Sequence, residues 1–161
     1  MTTEDKFQIL KNSPLAKEMT DDEVSVLADL IEVRSLEPGE ILLPEGSTDR
    51  NLYVVVSGVI EVAKRDPEGT WTVLHILGPD ELVGELSFMD DEPRYAALRA
   101  GAKTTVFSLS RGRFELLLLP HPWVVYKTMR AIMRIAHAVQ RRLSMHMIEL
   151  SNYFLKSHPK Y

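Results

Sequence analysis

A chain of 161 residues with 45% apolar and 26% charged side chains has the makeup of one globular domain with at most one appended element. It holds no cysteine, which excludes disulfides and thiolate metal sites. The net charge of −4 is uneven: residues 122–161 carry seven Lys/Arg against the single acid Glu149, while the first 121 residues carry 12 basic and 22 acidic side chains, opposing the basic field a nucleic-acid binder needs.

The N-terminus is polar and acidic, without the apolar stretch of a secretion signal. No run of about 18 apolar residues is present to cross a membrane, and a cytoplasmic location is expected. Residues 4–31 read as helical, divided at Pro14 into two short helices. Thr20-Asp21-Asp22-Glu23 has capping-box spacing, and Val24, Leu27, Ala28 and Ile31 follow at helical intervals. The N-terminal helical unit is placed at 1–31.

From 32 to 121 the pattern changes to short β-branched runs: Ile41–Leu43, Tyr53–Val56, Val59–Val62, Trp71–Ile76 and Thr104–Leu109. Glycines 39, 46, 58, 69, 78 and 101 fall between or beside them, the signature of an antiparallel sandwich or barrel. Asp66-Pro67-Glu68-Gly69 reads as a hairpin turn, since Pro presets φ and Gly takes positive φ. Ser110 is a candidate N-cap for a helix through Phe114 and Leu116–Leu119, stopped at Pro120-His121-Pro122. Trp71 and Trp123 are expected to fill the core and the junction with the last helix.

Pro122 suits the first position of a final helix over 122–161, running to about residue 156. At 1.5 Å per residue that is roughly 50 Å, more than a small β domain covers. Val125, Met129, Ile132, Ala136, Val139 and Leu143 alternate four and three apart, an a/d seam that extends through His146 to Leu150. This predicts a parallel homodimer through the last helix. The basic residues of this segment are expected on a solvated face or against the acidic body.

The densest chemistry lies in Gly84-Glu85-Leu86-Ser87-Phe88-Met89-Asp90-Asp91-Glu92-Pro93-Arg94-Tyr95-Ala96-Ala97. A glycine opens a short helical run, a glutamate follows, and Arg94 comes nine residues after Glu85. Amides at a helix start face an anion, a guanidinium neutralises it, and a carboxylate accepts from a sugar hydroxyl. The histidines at 75, 121, 137, 146 and 158 are scattered, with His75 alone in a strand, so no metal site or metal enzyme is expected. There is no P-loop.

The order of helices, glycine-punctuated β-roll, anion cassette, short helix and long helix resembles the cyclic-nucleotide-binding domain family, the sensor half of catabolite-activator-type regulators and kinase regulatory subunits. Glu37-Pro38-Gly39-Glu40, Glu45-Gly46 before Tyr53 and Ser57-Gly58, and Leu77-Gly78-Pro79 support it. The resemblance implies an α+β fold: an antiparallel β-roll (double-stranded β-helix or jelly-roll) at 32–121, flanked by N-terminal helices and a long C-terminal dimerisation helix. It implies a phosphate cassette at 84–97, with Gly84 giving close backbone approach, Glu85 taking the ribose hydroxyl, Leu86 and Ser87 donating amides, Arg94 clamping phosphate, and Tyr95 and Ala96 completing the ligand contacts. Gln140, Arg141 and His146 are candidate base contacts. The dimer seam is Val125, Met129, Ile132, Ala136, Val139, Leu143 and Leu150.

The sequence departs from the family pattern where Tyr95 replaces a small Ser, Thr or Ala, Val83 an aromatic, Asp80-Glu81 a Gly-Asp turn, and Ser87 the commoner Ala. The function expected is a stand-alone, non-catalytic sensor of cAMP rather than cGMP, without a cofactor, DNA binding or membrane association of its own, acting on an unknown protein partner. The alternative is a degenerate module serving protein interaction or dimerisation without nucleotide, with Arg94 tied up in ion pairs and the Tyr95 ring in the phosphate position.

Overall fold

Thr2 starts the first helix, α1 (Thr3–Lys11), with a capping box: Asp5 N donates to Thr2 Oγ1 at 3.1 Å and Thr2 N to Asp5 Oδ2 at 2.7 Å. The computed structural model describes residues 2–157, apart from the side chains of Leu86 and Ser157. Pro14 opens a 3-10 turn, Pro14–Ala16, where its missing N–H leaves no bond unmade. The second capping box starts α2 (Asp21–Ala28), with Thr20 N to Glu23 Oε2 at 2.8 Å and Glu23 N to Thr20 Oγ1 at 3.3 Å. The helical unit ends before Ile31, which already pairs in a sheet.

Eight strands follow: β1 (Ile31–Leu36), β2 (Ile41–Leu43), β3 (Asn51–Ser57), β4 (Ile60–Arg65), β5 (Trp71–Leu77), β6 (Leu82–Val83), β7 (Ala97–Ala100) and β8 (Thr104–Ser110). They form two antiparallel four-stranded sheets, ordered β1-β8-β3-β6 and β2-β7-β4-β5. This is the expected β-roll. The strands not expected from sequence are β1, β6 and β7. In β1 charged residues break the apolar run, β6 has two residues, and alanine-rich β7 has little β-propensity and exists because β2 and β4 hydrogen-bond it on both sides. The β4–β5 hairpin turns where Asp66-Pro67-Glu68-Gly69 was expected: Gly69 has φ 91°, and Thr70 N donates to Asp66 Oδ1 at 2.7 Å.

Period-two alternation in β3 divides the core. Leu52 and Val54 join Leu10, Leu27, Ile31, Phe107 and Leu109 between the first sheet and the helices. Tyr53 and Val55 face the interior of the roll with Ile60, Val62, Val83, Ala96, Leu98 and Val106. The candidate cassette therefore grows from the end of this inner core. Trp71 does not enter it: a strand-end indole is placed outward, with the Arg65 and Arg99 guanidiniums 5.7 and 5.2 Å from its ring.

Between β6 and β7 lies α3 (Glu85–Asp90); after β8 come α4 (Arg111–Glu115), a turn through Leu116–Pro120, and α5 (Pro122–Ser157), a helix of 36 residues. Ser110 is the N-cap of α4 without a side-chain capping bond. Val124, Ala131 and Ile132 of α5 are buried in the helical side of the core, with Val125, Met129 and Ile135 packed beside them. Trp123 is 67% exposed at the first turn of α5, its ring edge against Tyr126 at 5.8 Å, so it does not fill the junction; Val124 does.

The basic residues of α5 meet the acidic body. Lys127 Nζ lies 2.6 Å from Glu23, Arg130 and Arg134 both reach Glu18, and Arg142 approaches Glu81 at 3.6 Å. The Lys127 hydrogen bond and the Thr20 amide hold the Glu23 carboxyl below its usual range. From His137 to Lys156 every residue of α5 is exposed. No helix among the described residues is long and apolar enough to cross a membrane.

Candidate functional site

Gly84 follows β6 and takes φ 88°, ψ 24° as the N-cap of α3. This left-handed conformation costs an L side chain about 1–2 kcal/mol and suits glycine. The chain turns there from the roll interior into a single helical segment whose first internal bond runs from Phe88 N to Gly84 O at 2.9 Å. The amides of Glu85, Leu86 and Ser87 therefore have no intrahelical acceptor. Ser87 is buried and its Oγ donates to Glu92 O at 2.7 Å, closing the cassette loop on itself. Glu85 is half-buried, and its carboxylate makes no hydrogen bond or ion pair among the described residues.

Arg94 enters the site from the other end of the loop. Its backbone is pinned, with Arg94 N donating to Ser47 O at 2.9 Å and Gly46 N to Arg94 O at 2.7 Å. Its side chain is only 6% exposed. Nη2 donates to Asn51 O at 2.7 Å and lies 3.3 and 3.4 Å from Asp49 O and Oδ1. Nε is buried without a hydrogen-bond partner among the described residues. The guanidinium packs against the bare Cα of Gly84: a Cβ there would sit 1.7 Å from Nη1. The Tyr53 ring lies 5.9 Å from the guanidinium, and burial pushes the Tyr53 phenol above its ordinary value while its hydroxyl donates to Asp49 Oδ2 at 3.2 Å. The geometry is a cation kept out of water with donor capacity to spare. The Asp49 carboxylate meets that charge in one long ion pair at 3.4 Å, as the alternative reading expected, and leaves Nε for a further anion.

Tyr95 is 66% exposed, so its ring lies outside the packed niche around Arg94 and Gly84, whereas Ala96 is buried in the roll interior. Gln140, Arg141 and His146 stand on the exposed half of α5, where His146 Nδ1 lies 3.3 Å from Arg142 O. Of the seam positions, Ile132 is buried in the protomer's own core with Val125 and Met129 against it. Ala136 is half-buried, and Val139, Leu143 and Leu150 are exposed. Among the described residues no group of three or more His, Asp or Glu is placed to hold a metal ion.

Sequence reasoning missed Asp49 and Asn51. The polar run Ser47–Asn51 signals a loop, with an Asx bond from Asn51 N to Asp49 Oδ1 at 2.9 Å, but nothing in its spacing says that it meets a side chain 45 positions on. It also missed the tie between Glu81 and Arg142. In the turn before β6, Asp80 takes φ 67°, a value that suits glycine, and Glu81 Oε2 accepts from Gly78 N at 2.7 Å.

The model of the cyclic nucleotide-binding domain matches residues 33–121, more than half of the chain, and includes the whole cassette. The chain belongs to the cyclic nucleotide-binding domain family. A cAMP-dependent protein kinase regulatory subunit of Eremothecium gossypii is 33% identical over 111 residues, 69% of this chain and 23% of that one. The crystal structure of the N-terminal domain of a transcriptional regulator from Streptomyces coelicolor A3(2) superposes with TM-score 0.67 at 29% identity, covering 84% of this chain and 94% of that one. The regulatory subunit of a cAMP-independent protein kinase A from Trypanosoma brucei is similar at TM-score 0.62 and 28% identity, over 80% and 47% of the two chains. This cyclic nucleotide-binding domain spans between 23% and 57% of the length of the first curated relatives it matches. Within the family, then, relatives named as cAMP-dependent and as cAMP-independent share this roll.

Proposed function

We propose that the chain is a non-catalytic sensor that binds a cyclic nucleotide, cAMP in preference to cGMP, in the cassette 84–97. The observation that carries this reading is the buried Arg94 guanidinium with its unpartnered Nε, held against Gly84 at the start of α3. A cyclic phosphate diester supplies one negative charge and exocyclic oxygens to Arg94 and to the amides of Glu85, Leu86 and Ser87. Glu85, free of protein partners among the described residues, is the acceptor for a ribose hydroxyl. The exposed position of Tyr95 argues against its ring standing in the phosphate position. No Thr or Ser follows Arg94 to engage a guanine, which favours adenine.

Titration with cAMP and with cGMP, followed by calorimetry and thermal unfolding, tests the reading. A ligand at 100 times its dissociation constant is expected to stabilise the fold by about 2.7 kcal/mol. Absence of heat and of any shift in Tm with both nucleotides at millimolar concentration defeats it.

The output surface we assign is the distal half of α5, as a parallel helix pair between two copies. Val139, Leu143 and Leu150 are 38%, 61% and 53% exposed on one face of a helix that has left its own domain, a state that leaves apolar area in water. A double change of Leu143 and Leu150 to Glu is expected to convert a dimer to a monomer in sedimentation at micromolar concentration while the roll stays folded. A wild-type chain that sediments as a monomer at that concentration overturns the assignment.

A further inference from the structure

The end of α3 opposite Gly84 is held by two arginines from distant parts of the chain. Asp91 caps α3 in the left-handed conformation, φ 62°, ψ 13°. Its Oδ1 forms an ion pair with Arg50 Nε at 2.9 Å and accepts a hydrogen bond from Arg111 Nη1 at 2.5 Å. Arg50 adjoins Asp49, whose carbonyl and carboxylate engage Arg94. Arg111 begins α4, and its Nε donates to Glu115 at 2.8 Å, so the guanidinium is fixed from both sides. Beneath this bridge the rings of Phe88 of α3 and Phe114 of α4 lie 5.6 Å apart between centroids. One carboxylate thus joins the loop that engages Arg94, the cassette helix, and the helix that leads into α5.

We infer that Asp91 is a positioning residue whose bridge to Arg50 and Arg111 pins the cassette helix in this closed arrangement and holds ligand affinity down. The inference rests on the cyclic-nucleotide reading of residues 84–97. The guanidinium of Arg94 is in contact with Gly84, so a phosphate enters between them only if α3 and Arg94 separate. The Phe88–Phe114 contact allows sliding, because apolar attraction is non-directional. The Arg111–Asp91 hydrogen bond and the Arg50–Asp91 ion pair do not, because each weakens once its short distance is lost. Each such exposed pair shifts an equilibrium by up to about five-fold, and two on one carboxylate act together. Asp91 therefore opposes opening.

Asp91→Asn isolates the charge: asparagine tolerates the left-handed backbone and keeps the side-chain size. In calorimetric titrations with cAMP at low salt, Asp91→Asn is expected to bind about three- to ten-fold tighter than the wild type, and Arg111→Gln to show part of that gain. The double variant is expected to bind no tighter than Asp91→Asn alone, since both changes break one bridge. Added salt is expected to tighten wild-type binding more than binding by Asp91→Asn, a response that a purely structural role does not produce. Equal or weaker affinity of Asp91→Asn overturns the inference. A wild-type chain that binds no cyclic nucleotide defeats the functional reading instead. Amide hydrogen exchange at Phe88–Asp90 then decides the pin: faster exchange in Asp91→Asn supports it, and unchanged exchange overturns it.

Discussion

Replacing Arg94 by glutamine is expected to weaken cAMP binding by about 10- to 150-fold, the equivalent of about 1.5–3 kcal/mol for charge-assisted hydrogen bonds to a phosphate. The effect is large because Arg94 is 6% exposed, so water screens it little, and because its Nε has no hydrogen-bond partner among the described residues to lose. Folding stability is expected to respond less than affinity. The bonds of Arg94 to the protein are one short contact to Asn51 O at 2.7 Å and two long ones to Asp49, whose side chain keeps 24% of its surface in water and is hydrated when the guanidinium leaves. The measurement is calorimetric Kd beside Tm for the two proteins. Equal affinity for cAMP in wild type and Arg94→Gln would falsify the phosphate clamp.

Gly84→Ala is expected to damage both fold and site. A Cβ at this position lies 1.7 Å from Arg94 Nη1 and 2.4 Å from Cζ, far inside contact distance, and the backbone φ of 88° strains any L side chain. The strain is about 1–2 kcal/mol, and displacing a buried guanidinium from its acceptors adds about 1–3 kcal/mol. For a domain of this size, about 2–5 kcal/mol lowers Tm by roughly 5–20 °C. Binding of cAMP is expected to fall with it, because the same methyl group occupies the approach of the phosphate to the α3 amides. An alanine variant with unchanged Tm and unchanged affinity would show that Gly84 is not in contact with the clamp in solution. Gly39 and Gly46 serve as internal controls, since a Cβ at either meets nothing within 4 Å and only the backbone strain remains.

The cassette was legible as a place in the chain because its ingredients are local. Gly84 before an apolar helical turn, with an arginine a loop-length later, needs no knowledge of the rest of the molecule, and Gly84 stands at the left-handed start of α3. Its acceptors were not legible. Asp49 comes from the loop before β3 and Asn51 is the first residue of β3, and they meet Arg94 only because β3 and the cassette share the roll interior through β6. The same contrast runs through the fold. The capping box at Thr20 and the hairpin at Asp66–Gly69 are written in four or five adjacent residues. Strand β7, Ala97–Ala100, carries no such signal and is a strand because two neighbours supply its hydrogen bonds.

Local order, charge distribution and periodicity are properties of the chain taken residue by residue. They determined that helices flank a roll of short strands, that the roll carries a glycine before a short helix with an arginine a loop-length later, and that a long basic helix with an apolar stripe follows. Partners across space depend on how two sheets close over one core, which no single segment encodes. Tertiary structure alone decided that Arg94 is buried against Gly84 rather than paired on the surface, that Tyr95 stays outside, that Val125, Met129 and Ile132 serve the protomer's own core, and that the acids Glu18, Glu23 and Glu81 receive the basic helix. The reason is physical: a guanidinium or an apolar side chain has the same intrinsic chemistry everywhere, and its energy is set by which groups the packed fold leaves beside it.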